Sequence, residues 1–128
     1  MNTATMIQTH PKSTMYDADA LQKCLDACAD CVVSCSLCSD ACLAEDSPAN
    51  MRDCITSCAT CADICSTTIK VLSRMEQDKS VTDAMLRACA ACCEACMKTC
   101  ESHSGMHEHC KHCMEVCKTC MNACNALI

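Results

Sequence analysis

Apolar and polar positions alternate along this chain with a helical period, and on the apolar face the residue is nearly always cysteine. Cys24, Cys28, Cys31, Cys35, Cys38 and Cys42 recur at steps of four, three, four, three and four. That spacing averages 3.5 residues per turn and keeps all six on one face of an α-helix. Cys54, Cys58, Cys61 and Cys65 repeat the 4/3/4 step, as do Cys89, Cys93, Cys96 and Cys100. Cys110, Cys113, Cys117, Cys120 and Cys124 follow at 3/4/3/4, and Cys92 stands one position off the seam. The pattern predicts four helices, over about residues 17–45, 48–76, 81–102 and 106–127, and no strand signal interrupts them.

Local signals punctuate these helices. Thr14 or Asp17 suits the first N-cap, and Ser47-Pro48 closes one helix and opens the next. Ser80 and Asp83 have capping-box spacing, and Gly105, the only glycine, sits where a helix C-terminus favours left-handed geometry. Residues 1–16 are polar, carry Pro11 and read as a flexible tail or a short helix. Short loops between four helices imply antiparallel neighbours, hence an all-α, up-down-up-down four-helix bundle. Nineteen of the 20 cysteines then fall on core positions, and the interior is a tube lined with sulfur, about 27 Å long on the first helix.

The two ends of the tube differ. Extending the heptads past the cysteines puts Leu21, Leu72, Met75, Leu86 and Leu127 at one end, flanked by Ile69 and Met85, which makes an apolar plug. At the other end come Glu45, Met51, His103 and Met106, with His107 and His109 close by. That end is polar and carries metal-binding side chains, so ions are expected to enter there. His112 falls on an outward position and reads as a solvated residue.

Composition sharpens this picture. Ten Met and 20 Cys, with no Phe or Trp and one Tyr, leave no aromatic core, so the interior must be small side chains plus something else. A formal charge of -6 argues against nucleic acid or an anionic membrane as partner, and no apolar run is long enough to span a bilayer. The N-terminus has neither a twin-arginine signal nor an apolar signal region, which points to the cytoplasm. In that reducing compartment many cysteines read as metal ligands rather than disulfides.

Soft thiolate and thioether ligands select Cu(I). Zinc in structural sites takes four ligands that commonly converge from loops, whereas rigid helices offer thiols in pairs about 5 to 6 Å apart at Cβ. One monovalent ion per bridging thiolate neutralises the interior, while zinc with four thiolates leaves each site at -2. If the sulfurs bridge throughout, capacity approaches one ion per cysteine, on the order of 20 per chain. A zinc- or cadmium-binding protein of metallothionein type is the first alternative. The second is a thiol/disulfide redox protein, suggested by CxxC pairs such as Cys28/Cys31 and Cys117/Cys120, although no βαβ context supports it. Nothing resembles a nucleophile with its base or an open catalytic metal site, so no enzyme activity is expected.

The repeated C-x3-C-x2-C pattern on four helices, with the segment HSGMHEHC at 103–110, resembles the bacterial copper storage proteins, and in particular their cytosolic branch. The resemblance covers about residues 17–128. It implies four-helix bundles that assemble as homotetramers and fill with Cu(I) held mainly by Cys, with His and Met residues guarding one end. Those roles carry over to the cysteines and to Met51, His103, Met106 and His107. A copper chaperone or small-molecule chelator is the implied partner for delivery.

Overall fold

A computed structural model describes residues 2–128. Five α-helices follow one another: α1 (Thr3–Gln8), α2 (Ala18–Leu43), α3 (Arg52–Leu72), α4 (Lys79–Glu101) and α5 (Glu108–Asn125), with a 3-10 turn over Pro48–Met51. No strand occurs among the described residues. The four long helices form a ring in which α2 packs on α3, α3 on α4, α4 on α5 and α5 back on α2. Neighbours are antiparallel, as short connections require, and the bundle is up-down-up-down. None of the described helices is long and apolar enough to cross a membrane.

Capping chemistry sets where the helices begin. Asp17 caps α2, its carboxylate accepting from the Ala20 N–H at 3.0 Å. Asp78, not Ser80, caps α4: its Oδ1 accepts from the Ser80 N–H at 2.9 Å and from the Ser80 hydroxyl at 2.8 Å. The carboxylate draws both donors of Ser80 to itself, so the helix starts at Lys79 and Ser80 lies inside it. These two bonds also hold the Asp78 carboxyl below its usual pKa range. Pro48 opens a 3-10 turn and not the helix itself, and α3 starts four residues later at Arg52.

The helix ends also differ from the sequence expectation. The Gln77 side-chain amide donates to the carbonyl oxygens of Val71 at 2.5 Å and Arg74 at 3.1 Å, which satisfies the end of α3 near Leu72. Gly105 does not use its left-handed freedom, for no described residue has positive φ. The connection after α4 is instead a run of right-handed turns, with His103 N–H to Cys100 O at 3.0 Å, Ser104 N–H to Glu101 O at 3.2 Å and Met106 N–H to His103 O at 3.1 Å.

At the apolar end, Leu21, Leu72, Met75, Leu86 and Leu127 are buried together, and Met75 reaches in from the loop beyond α3. The N-terminal segment is tied to this end. The Thr3 hydroxyl donates to Asp26 Oδ1 at 2.7 Å, and Ile7 packs against the core. The Tyr16 hydroxyl donates at 2.8 Å to the buried Thr82 Oγ1, which itself donates to the Lys79 carbonyl at 3.0 Å. Residues 2–16 therefore hold α1 and a strap across the plug, while Met1 lies outside the described residues.

Leu86 is fully buried in this plug, on the cysteine seam of α4 one step before Cys89. Leu86→Ala should lower the unfolding free energy of the metal-free protein by about 2–5 kcal/mol, seen as a lower urea midpoint with helicity retained in water.

Candidate metal centre

All 20 cysteines are free thiols, and all but Cys92 are buried. The 4/3 steps turn each seam inward, and the antiparallel ring brings the seams into register. Between α3 and α4 the sulfurs meet as Cys54/Cys100 at 3.6 Å, Cys58/Cys96 at 3.6 Å, Cys61/Cys93 at 3.8 Å and Cys65/Cys89 at 3.8 Å. Between α2 and α5 they meet as Cys24/Cys124 at 3.8 Å, Cys28/Cys120 at 3.6 Å, Cys31/Cys117 at 3.8 Å and Cys35/Cys113 at 3.7 Å. Contacts such as Cys31/Cys61 at 3.6 Å and Cys58/Cys113 at 3.8 Å join the two ladders. The result is one continuous array of sulfur along the bundle axis.

This packing revises one expectation. The helices bring thiols together in fours as well as in pairs, with ligand atoms within 4.8 Å of one another in Cys28/Cys65/Cys89/Cys120, Cys31/Cys65/Cys93/Cys120, Cys31/Cys35/Cys61/Cys117 and Cys35/Cys58/Cys96/Cys113. A Zn–S bond of about 2.3 Å would place tetrahedral sulfurs about 3.8 Å apart, so spacing alone does not reject zinc. Overlap does discriminate. Cys31, Cys35, Cys65 and Cys120 each belong to two of these groups. Four-coordinate ions could not fill adjoining groups without sharing ligands, whereas bridging thiolates with monovalent ions can occupy the whole array.

At the mouth, His109 Nδ1 lies 3.3 Å from Cys38 Sγ and 3.6 Å from Cys110 Sγ, and Cys38, Cys42, His109 and Cys110 form a group within the same 4.8 Å limit. His107 Nδ1 meets Glu45 Oε2 at 2.5 Å, and the same oxygen is 3.8 Å from His109 Nε2. The two imidazole rings stack at 5.4 Å. His109 Nε2 is buried with no hydrogen-bond partner, a donor position open to an incoming ion. Met51 is buried just inside the mouth, brought there by the 3-10 turn.

His103 and Met106 lie at the same end but outside this group. His103 is half-buried at the edge of an open polar groove between α3 and α4. Met106, expected on a core position, is 77% exposed, because residues 102–107 form the turn between α4 and α5 and the heptad does not run through it. His112 is solvent-exposed beside Glu108 and Glu115. Glu45, which the heptad placed at the mouth with no role, is the carboxylate that both inner histidines face.

Thiol-to-thiol donation spreads the proton affinities. Donation from Cys124 pulls Cys24 down to about 5 and Cys120 down to about 7, while Cys124 itself is pushed up. Donation from Cys100 takes Cys96 down to about 6. Burial, with the neighbouring Cys54 charge, pushes Cys110 up to about 11.

The family model described as copper storage protein matches residues 17–128. The chain belongs to the copper storage protein family. None of the curated proteins matches it. Among solved structures, the copper storage protein Ccsp from Streptomyces lividans, loaded with 10 copper equivalents, is 41% identical, with a TM-score of 0.94 over 96% of this chain and 95% of that one. A Streptomyces lividans Ccsp mutant with two histidines changed to alanine is 42% identical, with a TM-score of 0.86 over 88% of this chain and 95% of that one. The cytosolic copper storage protein from the same organism with five coppers is 44% identical, with a TM-score of 0.82 over 84% and 90% of the two chains. Membership decides the metal that sulfur spacing left open, and the thiol array is what a copper storage protein requires.

Copper must displace whatever protons the thiols hold, so loading is coupled to pH. Cys110 carries its proton until about pH 11, whereas Cys120, Cys96 and Cys24 gain theirs as pH falls through about 7, 6 and 5. The number of protons released per Cu(I) bound should therefore rise between pH 8 and pH 5, and affinity should weaken in step. Proton release measured in weakly buffered solution during loading tests this, and a constant release across that range would contradict it.

Proposed function

We propose that this chain is a cytosolic Cu(I) store, in which the 20 thiolates hold on the order of one ion each, bridged along the bundle axis. The observation that carries this reading is the continuity of the array: sulfurs from all four long helices lie 3.6–4.0 Å from partners on other helices, from Cys24 to Cys110. The cytosolic assignment draws on the likeness to the Streptomyces lividans protein described as cytosolic. Storage needs no turnover, and apart from the contacts of Cys38 and Cys110 with His109 at the mouth the thiols pair with one another, so the chain reads as a store rather than an enzyme.

Ions enter between Glu45, Met51, His107 and His109, with Cys38, Cys42 and Cys110 as the first thiolates. His103 and Met106 stand outside this opening and meet the copper donor first. The donor is a copper chaperone or a small-molecule chelator. The homotetramer implied by the family resemblance has support in an apolar stripe on α2, where Val33 is 59% and Leu37 67% exposed one helical turn apart.

Titration of the metal-free protein with Cu(I) against a competing chelator, followed by native mass spectrometry, should give a capacity near the cysteine count. A plateau at about five ions, the number that exclusive four-thiol sites allow, would overturn the bridged array. Changing His107 and His109 together to alanine should slow loading at least severalfold while capacity falls by no more than two ions. An unchanged rate with a larger loss of capacity would make both histidines storage ligands and remove their role at the entrance.

A further inference from the structure

Cys92 lies outside the four seams, yet it is not isolated. The Ser57 and Thr99 hydroxyls, 3.3 Å apart, join α3 to α4 on their outer flank. Moving one heptad along each antiparallel helix from that pair sets Ile64 opposite Cys92, both partly buried. The Cys92 sulfur turns inward from this flank, donating to the Cys89 carbonyl at 3.1 Å and reaching Cys61 Sγ at 3.8 Å. Cys61 is fully buried midway along the array, 3.6 Å from Cys31 and 3.8 Å from Cys93. Cys92 is the one cysteine of the array that solvent reaches through the side of the bundle.

The same flank is built for more than packing. Toward the mouth it opens into a groove of about 510 Å³, with Ser57 and Thr99 among its lining residues, Arg52 and Lys98 as cations, Asp53 as the carboxylate of the lining, and His103 at its end. Lys98 also pairs with Glu94 on its own helix at 3.3 Å, both side chains being exposed. Thr99 and Cys92 are two helical turns apart, roughly 10 Å along the axis. The hydroxyls and the Arg52 guanidinium, with Lys98 as a cation shared with Glu94, suit the carboxylates of a small molecule, and one that extends about 10 Å along the flank would bring a thiol to Cys92.

We infer that the α3/α4 flank is a second, lateral exchange site, at which Cys92 passes Cu(I) between Cys61 and a small anionic thiol carrier seated in the adjoining groove. The transfer is ligand exchange with copper remaining Cu(I). The carrier arrives as a two-coordinate bis-thiolate complex, and the Cys92 sulfur adds to copper. One Cu–S bond to the carrier breaks, and that thiolate takes the Cys92 proton. Cys61 then adds, the second carrier thiolate leaves with the Cys61 proton, and Cu(I) bridges Cys92 and Cys61. Two neutral carrier thiols are released for one ion delivered, and the reverse sequence unloads the store. The position midway along the array shortens the path to the thiols furthest from the mouth, around Cys24 and Cys124.

The inference rests on the copper-storage reading, and its test separates the two. Metal-free full-length protein is mixed with Cu(I) supplied either as its glutathione complex or in acetonitrile, and Cu–thiolate absorbance gives both rate and end point. The end point in the unaltered chain tests storage by itself. In the chain with His107 and His109 changed to alanine, adding Cys92→Ser should slow loading from the glutathione complex at least fivefold more, with capacity lower by one ion at most. Arg52→Ala with Lys98→Ala should slow loading from glutathione and leave loading from acetonitrile unchanged. The lateral site is overturned if Cys92→Ser and Cys92→Ala leave the rate unchanged in both backgrounds, or if either removes several ions of capacity. Equal slowing from both copper sources by the Arg52/Lys98 pair would overturn the anionic carrier.

Discussion

A buried sulfur is inexpensive only when it is neutral. A row of thiolates without counter-ions would carry a desolvation cost far beyond the stability of a domain of this size, while a protonated thiol is a small weak donor that packs like a hydrophobe. The bundle therefore has two interiors of low charge available, one in which most thiols hold protons and the few thiolates are stabilised by donation from neighbouring thiols, and one in which the protons have been exchanged for Cu(I). Both use the same helices in the same register, because sulfurs already 3.6–4.0 Å apart can be bridged by metal through small side-chain adjustments. Fold and cargo are thus separable, because thiol packing and the plug of Leu21, Leu72, Leu86 and Leu127 bury apolar surface that does not depend on metal.

The same constraint explains the asymmetry of the ends. At the plug, ordinary aliphatic packing is reinforced by the Tyr16–Thr82–Lys79 chain of hydrogen bonds, so the segment over it is pinned and water is kept from the sulfurs. At the other end the helices splay into turns, polar groups remain near water, and a carboxylate and two imidazoles can sit together without severe desolvation. The His107 Nδ1 contact with Glu45 assigns that nitrogen as the donor and leaves Nε2 as the acceptor free for an ion, the arrangement in which a carboxylate orients a metal-binding histidine.

What the sequence made legible follows from periodicity. A thiol every three or four residues on four segments specifies helix, face and antiparallel partner at once, and the plug follows from the same register. What it missed lies where periodicity stops. The heptad puts Met106 on a core position only by running through residues that form a turn, and the capping-box spacing points to Ser80 although Asp78, two residues earlier, offers the stronger acceptor. Gly105 marked a turn correctly but not its conformation, since right-handed turns suffice there. Glu45 was positioned by the register, yet its contact with His107 joins the end of α2 to the start of α5, and local sequence carries no sign of it. Cys92 needed the third dimension as well, for only the packing of α3 against α4 shows its sulfur aimed at Cys61.

Geometry and valence together select the metal. The four-thiol groups would each accept a tetrahedral divalent ion, and a single one viewed alone looks like a zinc site. Their overlap through Cys65 and Cys120, then Cys31, then Cys35 makes the array a chain of linked polygons rather than a set of separate sites. Charge decides how such a chain fills. Each bridging thiolate contributes -1, so a neutral interior needs about one positive charge per sulfur, delivered by ions content with two or three ligands. A divalent ion at every group would run out of sulfur before it ran out of sites, whereas Cu(I) uses each sulfur twice, so the 19 cysteines on the four seams can all be employed, with Cys92 beside them.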